Sequence, residues 1–348
     1  MIEADAIRNG VVDMFRVNMG LREGETILVV SDYPVRDQWA SGAQSEIEDM
    51  VRRCLLGRTV AEIAAKEFPS SRVRFMPFPA TGRSGTEPPA DVAEAMKQAD
   101  VVIAITSFSL THTEARGSAC RAGARVASMP RFMPEMFCSG GPMAVDYHLV
   151  ADETRRFADL LSEAASAEVS SPDGTMLYLD LSGRKGLPDD GMYTSKGKAG
   201  NLPAGEAYIA PLEGKAKGKI AVLPGWYPRL REPMTVYVED GLVVRVDGGG
   251  DVGEELRATW GLGEAEPSRE ILARRNIAEL GVGTNPNARR TDIVLEAEKI
   301  RGTVHIGIGD NSHMGGVVVA DFHQDFVVPK ATLVLDGRTV MREGEATI

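Results

Sequence analysis

Between residues 24 and 129 the chain repeats one pattern, and it decides the fold class of the first half. A short, nearly continuous apolar run of strand length gives way to an amphipathic stretch, then to another run. The runs are GETILVVSD at 24–32, VRFMPF at 73–78, VVIAIT at 101–106 and ARVASM at 124–129. Runs without alternation suit strands buried on both faces of a parallel sheet, and the stretches between them, 43–66 and 89–98, have helical periodicity. Strand and helix in alternation predict an open α/β domain with a mostly parallel sheet. An opening helix is expected over 2–19, with Ile7, Val11, Met14 and Phe15 at helical spacing and Gly20 as its C-cap. A closing helix is expected over 146–165.

After about Ser166 the texture changes to period-two strands joined by hairpin turns. Asp173-Gly174, Asp240-Gly241 and Asp336-Gly337 each lie between β-prone segments, the pair favoured where a two-residue turn needs φ > 0. Short helices are expected at 252–259, 266–275 and 292–300. The expectation is an α/β domain over 1–165 and a β-rich, barrel-like, metal-binding catalytic domain over 166–348.

Composition narrows the function classes. A chain of 348 residues that is 43% hydrophobic and 26% charged is neither disordered nor membrane-spanning in profile. Its net charge of −11 disfavours nucleic acid and anionic lipid as partners. Three cysteines without CxxC spacing and an acidic start, Met1-Ile2-Glu3-Ala4-Asp5, predict a reduced, cytoplasmic protein. No P-loop, G-x-S-x-G elbow or HExxH is present.

Of the five histidines, three crowd near the C-terminus. ADFHQDF sets His323 and Asp325 two apart in strand-like context, which sends both side chains to one face and suits coordination of one metal. In TVHIGIGD, Val304, Ile306 and Ile308 form an apolar face while His305 shares the other with Gly307 and Gly309, leaving room for a ligand or a close backbone approach. IAELGVG repeats the pattern: Ala278, Leu280 and Val282 line one face, and Glu279 shares the other with Gly281 and Gly283. A carboxylate among apolar neighbours needs a partner or a metal. NLPAGEAYIAP adds Glu206 after a turn, with Tyr208 on its face. Together these residues suit two divalent ions about 3.5–4 Å apart that acidify a bridging water, which is hydrolase chemistry.

In these motifs the sequence resembles the aminopeptidase T/aminopeptidase S family of dinuclear metallopeptidases. Glu206, Glu279, His305, His323 and Asp325 match that family's metal ligands in order. The resemblance implies two Zn, Co or Mn ions, a homodimer, and an aminopeptidase-like hydrolase cleaving an N-terminal peptide or related amide bond of a small substrate. Glu206 or Glu279 would then handle the proton of the attacking water, and the sequence leaves open which. One departure stands out, since the family's Tyr about seven residues after the histidine reads Ser312 here. His313 beside it is a candidate ligand, substrate contact or proton shuttle, and Asn201, just before Glu206, is a candidate substrate contact. A branch of the same superfamily, the 2,5-dihydroxypyridine 5,6-dioxygenases, is also similar. It implies a mononuclear non-heme Fe(II) ring-cleaving enzyme, with His323 and Asp325 matching and a His in the branch where this chain has Glu279. His305, His323 and Asp325 would supply its two histidines and one carboxylate.

Overall fold

The computed structural model describes residues 3–348; residue 2, the first of the expected opening helix, lies outside them. The strands are β1 (Thr26–Tyr33), β2 (Arg72–Pro79), β3 (Val101–Thr106), β4 (Arg125–Pro130), β5 (Ser166–Ser170), β6 (Met176–Asp180), β7 (Leu187–Asp189), β8 (Ala199–Asn201) and β9 (Glu206–Ile209). They continue with β10 (Lys217–Val222), β11 (Met234–Glu239), β12 (Leu242–Gly248), β13 (Ile277–Gly283), β14 (Val304–Gly309), β15 (His323–Val328), β16 (Thr332–Leu335), β17 (Arg338–Arg342) and β18 (Glu345–Ala346). The chain divides into two units, Met1–Tyr147 with Gly191–Ala204, and His148–Asp190 with Gly205–Ile348.

The first unit is the expected open α/β domain. Its sheet has the order β2-β1-β3-β4-β8, every pairing parallel. Leu28, Val30, Val102, Ala104 and Val126 meet Val92, Ala95 and Met96 of helix Ala90–Lys97 and Ala115 and Ala119 of helix Glu114–Ala122. The long helix Gln44–Glu67 packs on β1, and at its Gly57 a Cβ would sit 3.0 Å from Ser31 Cβ, so a small residue sets the approach. Between β1 and β3 the sheet reverses its direction of growth, and there Asp32 is buried. It accepts the N–H groups of Ser107 at 2.7 Å and Phe108 at 3.2 Å, while Arg53 Nε donates to Ser107 Oγ at 3.0 Å. Burial pushes the Asp32 carboxyl up, and the two N–H bonds and Arg53 oppose the push. Asp32→Ala strands two buried donors and the arginine, and is expected to cost about 3 kcal/mol in urea unfolding; a loss under roughly 0.5 kcal/mol would show that the β3 end holds itself.

The second unit holds two sheets, an eight-stranded one ordered β12-β11-β10-β6-β5-β16-β17-β18 and a five-stranded one ordered β15-β14-β13-β9-β7. Its pairings are antiparallel. Both sheets are open, in place of the expected barrel: each keeps two edge strands, so the two pack face to face. The shared core joins Leu177, Leu179, Ile220 and Val236 of the larger sheet to Ile209, Leu280, Val282, Ile306 and Phe326 of the smaller.

The division also departs from the expected boundary at 165/166. Helix Tyr147–Glu163 sends Phe157 and Leu161 into the core of the second unit, so from His148 on it belongs there. Residues 191–204 return to the first unit, where β8 pairs with β4. The turns at Asp240-Gly241 and Asp336-Gly337 form as expected, with φ of 46° and 74° and of 46° and 81°. No helix among the described residues is long and apolar enough to cross a membrane.

Candidate metal centre

The smaller sheet of the second unit sorts its residues by face. Across β9, β13, β14 and β15, Gly283 pairs with Glu206, Gly281 with His305, Glu279 with Gly307, Gly307 with Asp325, and Gly309 with His323. Side chains of directly paired residues lie on one side, so Glu206, Glu279, His305, His323 and Asp325 share the face opposite the core. The other face carries Leu280, Val282, Val304, Ile306, Ile308, Phe326 and Val328, all in the hydrophobic cluster. One detail differs from the period-two reading. A bulge between Ile277 and Glu279 puts Ile277 on the core face beside Leu280, while Ala278, also fully buried, lies outside that cluster.

The glycines explain how five large polar side chains fit one sheet face. A Cβ on Gly281 would lie 2.0 Å from Cε1 and Nε2 of His305, and one on Gly307 would lie 3.0 Å from the same atoms of His323. The space that the sequence reserves above these strands is thus filled by neighbouring imidazoles. At Gly283 and Gly309 the neighbour is backbone: Ile300 O would stand 2.2 Å and Phe322 O 2.0 Å from the added carbon.

The polar atoms alternate in sign. His305 Nε2 lies 3.5 Å from Glu206 Oε2 and 3.4 Å from Glu279 Oε1, and His323 Nε2 lies 3.2 Å from Glu279 Oε2 and 3.3 Å from Asp325 Oδ1. Glu279, His323 and Asp325 each offer a ligand atom within 4.8 Å of the other two. His323 Nδ1 donates to the carbonyl of Asp310 at 2.7 Å, which fixes the tautomer whose Nε2 lone pair faces the carboxylates. Glu206 Oε2 and His305 Nδ1 are buried and make no hydrogen bond. Two imidazoles set against the carboxylates of Glu279 and Asp325 form a donor set that fits a divalent cation.

Electrostatics run the same way. Burial pushes the Glu206 carboxyl up to about 7 against the pull of Lys299 and His305. At Glu279 burial also pushes upward, but the bonds and charges of His305 and His323 prevail and hold it well below the carboxylate range. Burial would lower His305, yet the Glu279 bond and the charges of Glu206 and Glu279 lift it to about 9. His323 rises well above its ordinary value against burial, drawn by Asp325 and Glu279.

Several partners have no signature in sequence. Lys299 is fully buried, with Nζ 2.5 Å from Glu206 Oε1, 2.8 Å from Glu298 Oε1 and 3.6 Å from Asp189 Oδ2. One oxygen of Glu206, expected as a metal ligand, is therefore committed to an ammonium. Asp310 is the second. Besides the carbonyl that holds His323, its carboxylate accepts from Ser312 Oγ at 3.0 Å and from His313 Nδ1 at 3.0 Å. His313 stands with its ring 5.9 Å from that of His323, and Ser312 is exposed. Asn201 belongs to the first unit, where its Nδ2 donates to Thr111 Oγ1 and Ser128 O. Its expected role as a substrate contact gains nothing from these bonds, which tie the loop Thr111 carries to β4.

A family model described as NicX, 2,5-dihydroxypyridine 5,6-dioxygenase, matches residues 11–348. The chain belongs to this family. A search of curated proteins returns no match. Among solved structures, the fold is similar to the 2,5-dihydroxypyridine dioxygenase of Pseudomonas putida KT2440, with a TM-score of 0.73, 18% identity, and 100% of this chain and 98% of that one covered. It is also similar to wild-type AmpT from Thermus thermophilus, with a TM-score of 0.64, 16% identity, and 99% of each chain covered. At these identities the two structures speak for the fold. The family match falls on the dioxygenase branch, the second of the two resemblances read from the motifs, while the peptidase resemblance keeps a structural neighbour. The family and both neighbours are enzymes, and the cluster of Glu279, His323 and Asp325 is one that could hold a metal ion.

Proposed function

We propose that this chain is a ring-cleaving dioxygenase for a hydroxylated N-heteroaromatic substrate of the 2,5-dihydroxypyridine kind, built around one ferrous ion. The observation that carries the reading is the cluster of Glu279, His323 and Asp325 within 4.8 Å, in a chain whose family model spans residues 11–348. His305 supplies the second imidazole next to Glu279, so the chain reaches a two-histidine, carboxylate-containing set although Glu279 stands where the dioxygenase branch has a histidine. Ferrous iron, when bound, supplies the redox chemistry by which dioxygen reacts with an electron-rich ring.

The protein's own groups do the rest. Asp310 holds His323 by its carbonyl and His313 by its carboxylate, so one residue orients a ligand and a polar group 5.9 Å away, ring to ring. His313, exposed and with its Nδ1 on Asp310, stands where its ring can meet a substrate hydroxyl, and Ser312 adds a hydroxyl on the same short turn. Glu279 and His305 are themselves buried, which keeps water from them and strengthens every charge interaction there.

A dinuclear hydrolase is the second reading, favoured by one observation: Glu206, Glu279, His305, His323 and Asp325 share one face. Metal content and assay separate the two. Protein purified without chelator, then reconstituted anaerobically with ferrous iron, is expected to hold about one iron per chain and to consume oxygen as the absorbance of 2,5-dihydroxypyridine is lost. Two zinc or cobalt ions per chain with release of amine from an aminoacyl anilide, and no oxygen uptake, would replace the oxygenase by the hydrolase.

A further inference from the structure

The segment after helix Val294–Ala297 runs against the end of β13, where Asn285 N–H donates to Lys299 O at 2.9 Å and Gly283 N–H to Thr303 O at 3.1 Å. Gly283 permits this approach, because a Cβ there would stand 2.2 Å from Ile300 O and 2.9 Å from the carbonyl carbon of Lys299. The path carries a lysine into the interior beside the centre. A buried ammonium is costly unless carboxylates surround it, and Glu206, Glu298 and Asp189 do so at 2.5, 2.8 and 3.6 Å.

Glu206 is shared. Its Oε1 faces Lys299, and its Oε2 lies 3.5 Å from His305 Nε2. A carboxylate placed between two cationic positions is the arrangement that two-metal centres use with ions about 3.5–4 Å apart. Here one position is held by a cation attached to the chain. A second free ion would have to share Glu206 and Asp189 with that ammonium and meet its repulsion in a buried, low-dielectric setting.

We infer that Lys299 takes the place of a second metal ion and limits the centre to a single divalent cation. This rests on the reading of Glu279, His323 and Asp325 as the metal site, and it adds why a chain with all five residues of a dinuclear set holds one ion. Glu206 then acts as the counter-ion of Lys299, outside the ligand set.

The test uses the full chain stripped of metal and titrated with Mn²⁺, with stoichiometry from calorimetry and spin coupling from electron paramagnetic resonance. Wild type is expected to bind one Mn²⁺ with an uncoupled spectrum. Lys299→Met, close in volume, is expected to bind a second Mn²⁺, with an exchange-coupled signal and a larger rise in Tm on Mn²⁺ addition than wild type shows. Glu206→Gln covers the case in which Lys299→Met does not fold: it should change affinity for the single ion less than about threefold, whereas Glu279→Gln should weaken it about 100-fold. Two Mn²⁺ on wild type, one on folded Lys299→Met, or a tenfold loss in Glu206→Gln would each overturn the inference. No Mn²⁺ on wild type would overturn the metal site itself and the inference with it.

Discussion

His323→Ala protein, dialysed against metal-free buffer, is expected to keep less than about a tenth of the metal of wild type, because losing a ligand exceeds the roughly 10–100-fold that outer partners cost. His323 Nε2 is the atom nearest to both Glu279 at 3.2 Å and Asp325 at 3.3 Å, and its ring is the one whose far nitrogen is already held, at 2.7 Å from Asp310 O. Alanine leaves the carboxylates of Glu279 and Asp325 opposed without the imidazole between them. Any reaction that needs the ion should fall in proportion, while circular dichroism stays native, because the apolar face of β15 keeps Phe326 and Val328 in the core. Metal retained at wild-type level would remove His323 from the ligand set and leave Glu279, Asp325 and His305 to hold the ion.

That the five polar residues share one face was legible because β-strand geometry is strict. Period two sends His323 and Asp325 to one side, and the pairing of Glu279 with Gly307 and Gly281 with His305 places the rest beside them. The parallel sheet was legible too, since β1 and β3, buried on both faces, are written in apolar residues with no alternation. β8 was not. Its three residues, Ala199–Asn201, carry no strand signal, and their place in the first unit follows from pairing with β4. Closure of a sheet is likewise decided by whether edges meet, which residue patterns on single strands do not encode; β15 and β7 remain edges.

Lys299 and Asp310 were missed for a different reason. In LEAEKI a lysine reads as the solvated end of a short helix, and its burial depends on a loop path that Gly283 makes possible 16 residues earlier. Asp310 acts on His323 through a backbone carbonyl, an atom every residue has. Its carboxylate is visible in sequence, but nothing in GDNSHM says that the same residue serves two histidines. Spacing reveals which side chains can share a face; it does not reveal which backbone atoms orient them or which loop folds back over the sheet.

That distinction gives the glycines their own test. Gly281→Ala is expected to fold yet to bind metal about 100-fold more weakly, on the scale of a lost orienting contact. The added methyl would stand 2.0 Å from two ring atoms of His305 and 2.8 Å from a third, closer than any side chain tolerates. The strand cannot yield, because Leu280 and Val282 on the reverse face are fully buried in the shared core. The ring must therefore move, and with it the Nε2 that lies between Glu206 and Glu279. Gly24→Ala is the control for a merely conformational cost: Gly24 has φ 78° with nothing within 4 Å of an added Cβ, so it should lose about 1 kcal/mol of stability and no metal. Chelator competition read alongside thermal unfolding separates the two effects. Unchanged metal affinity in a folded Gly281→Ala protein would mean that His305 does not contribute to binding, leaving Glu279, His323 and Asp325 as the whole ligand set.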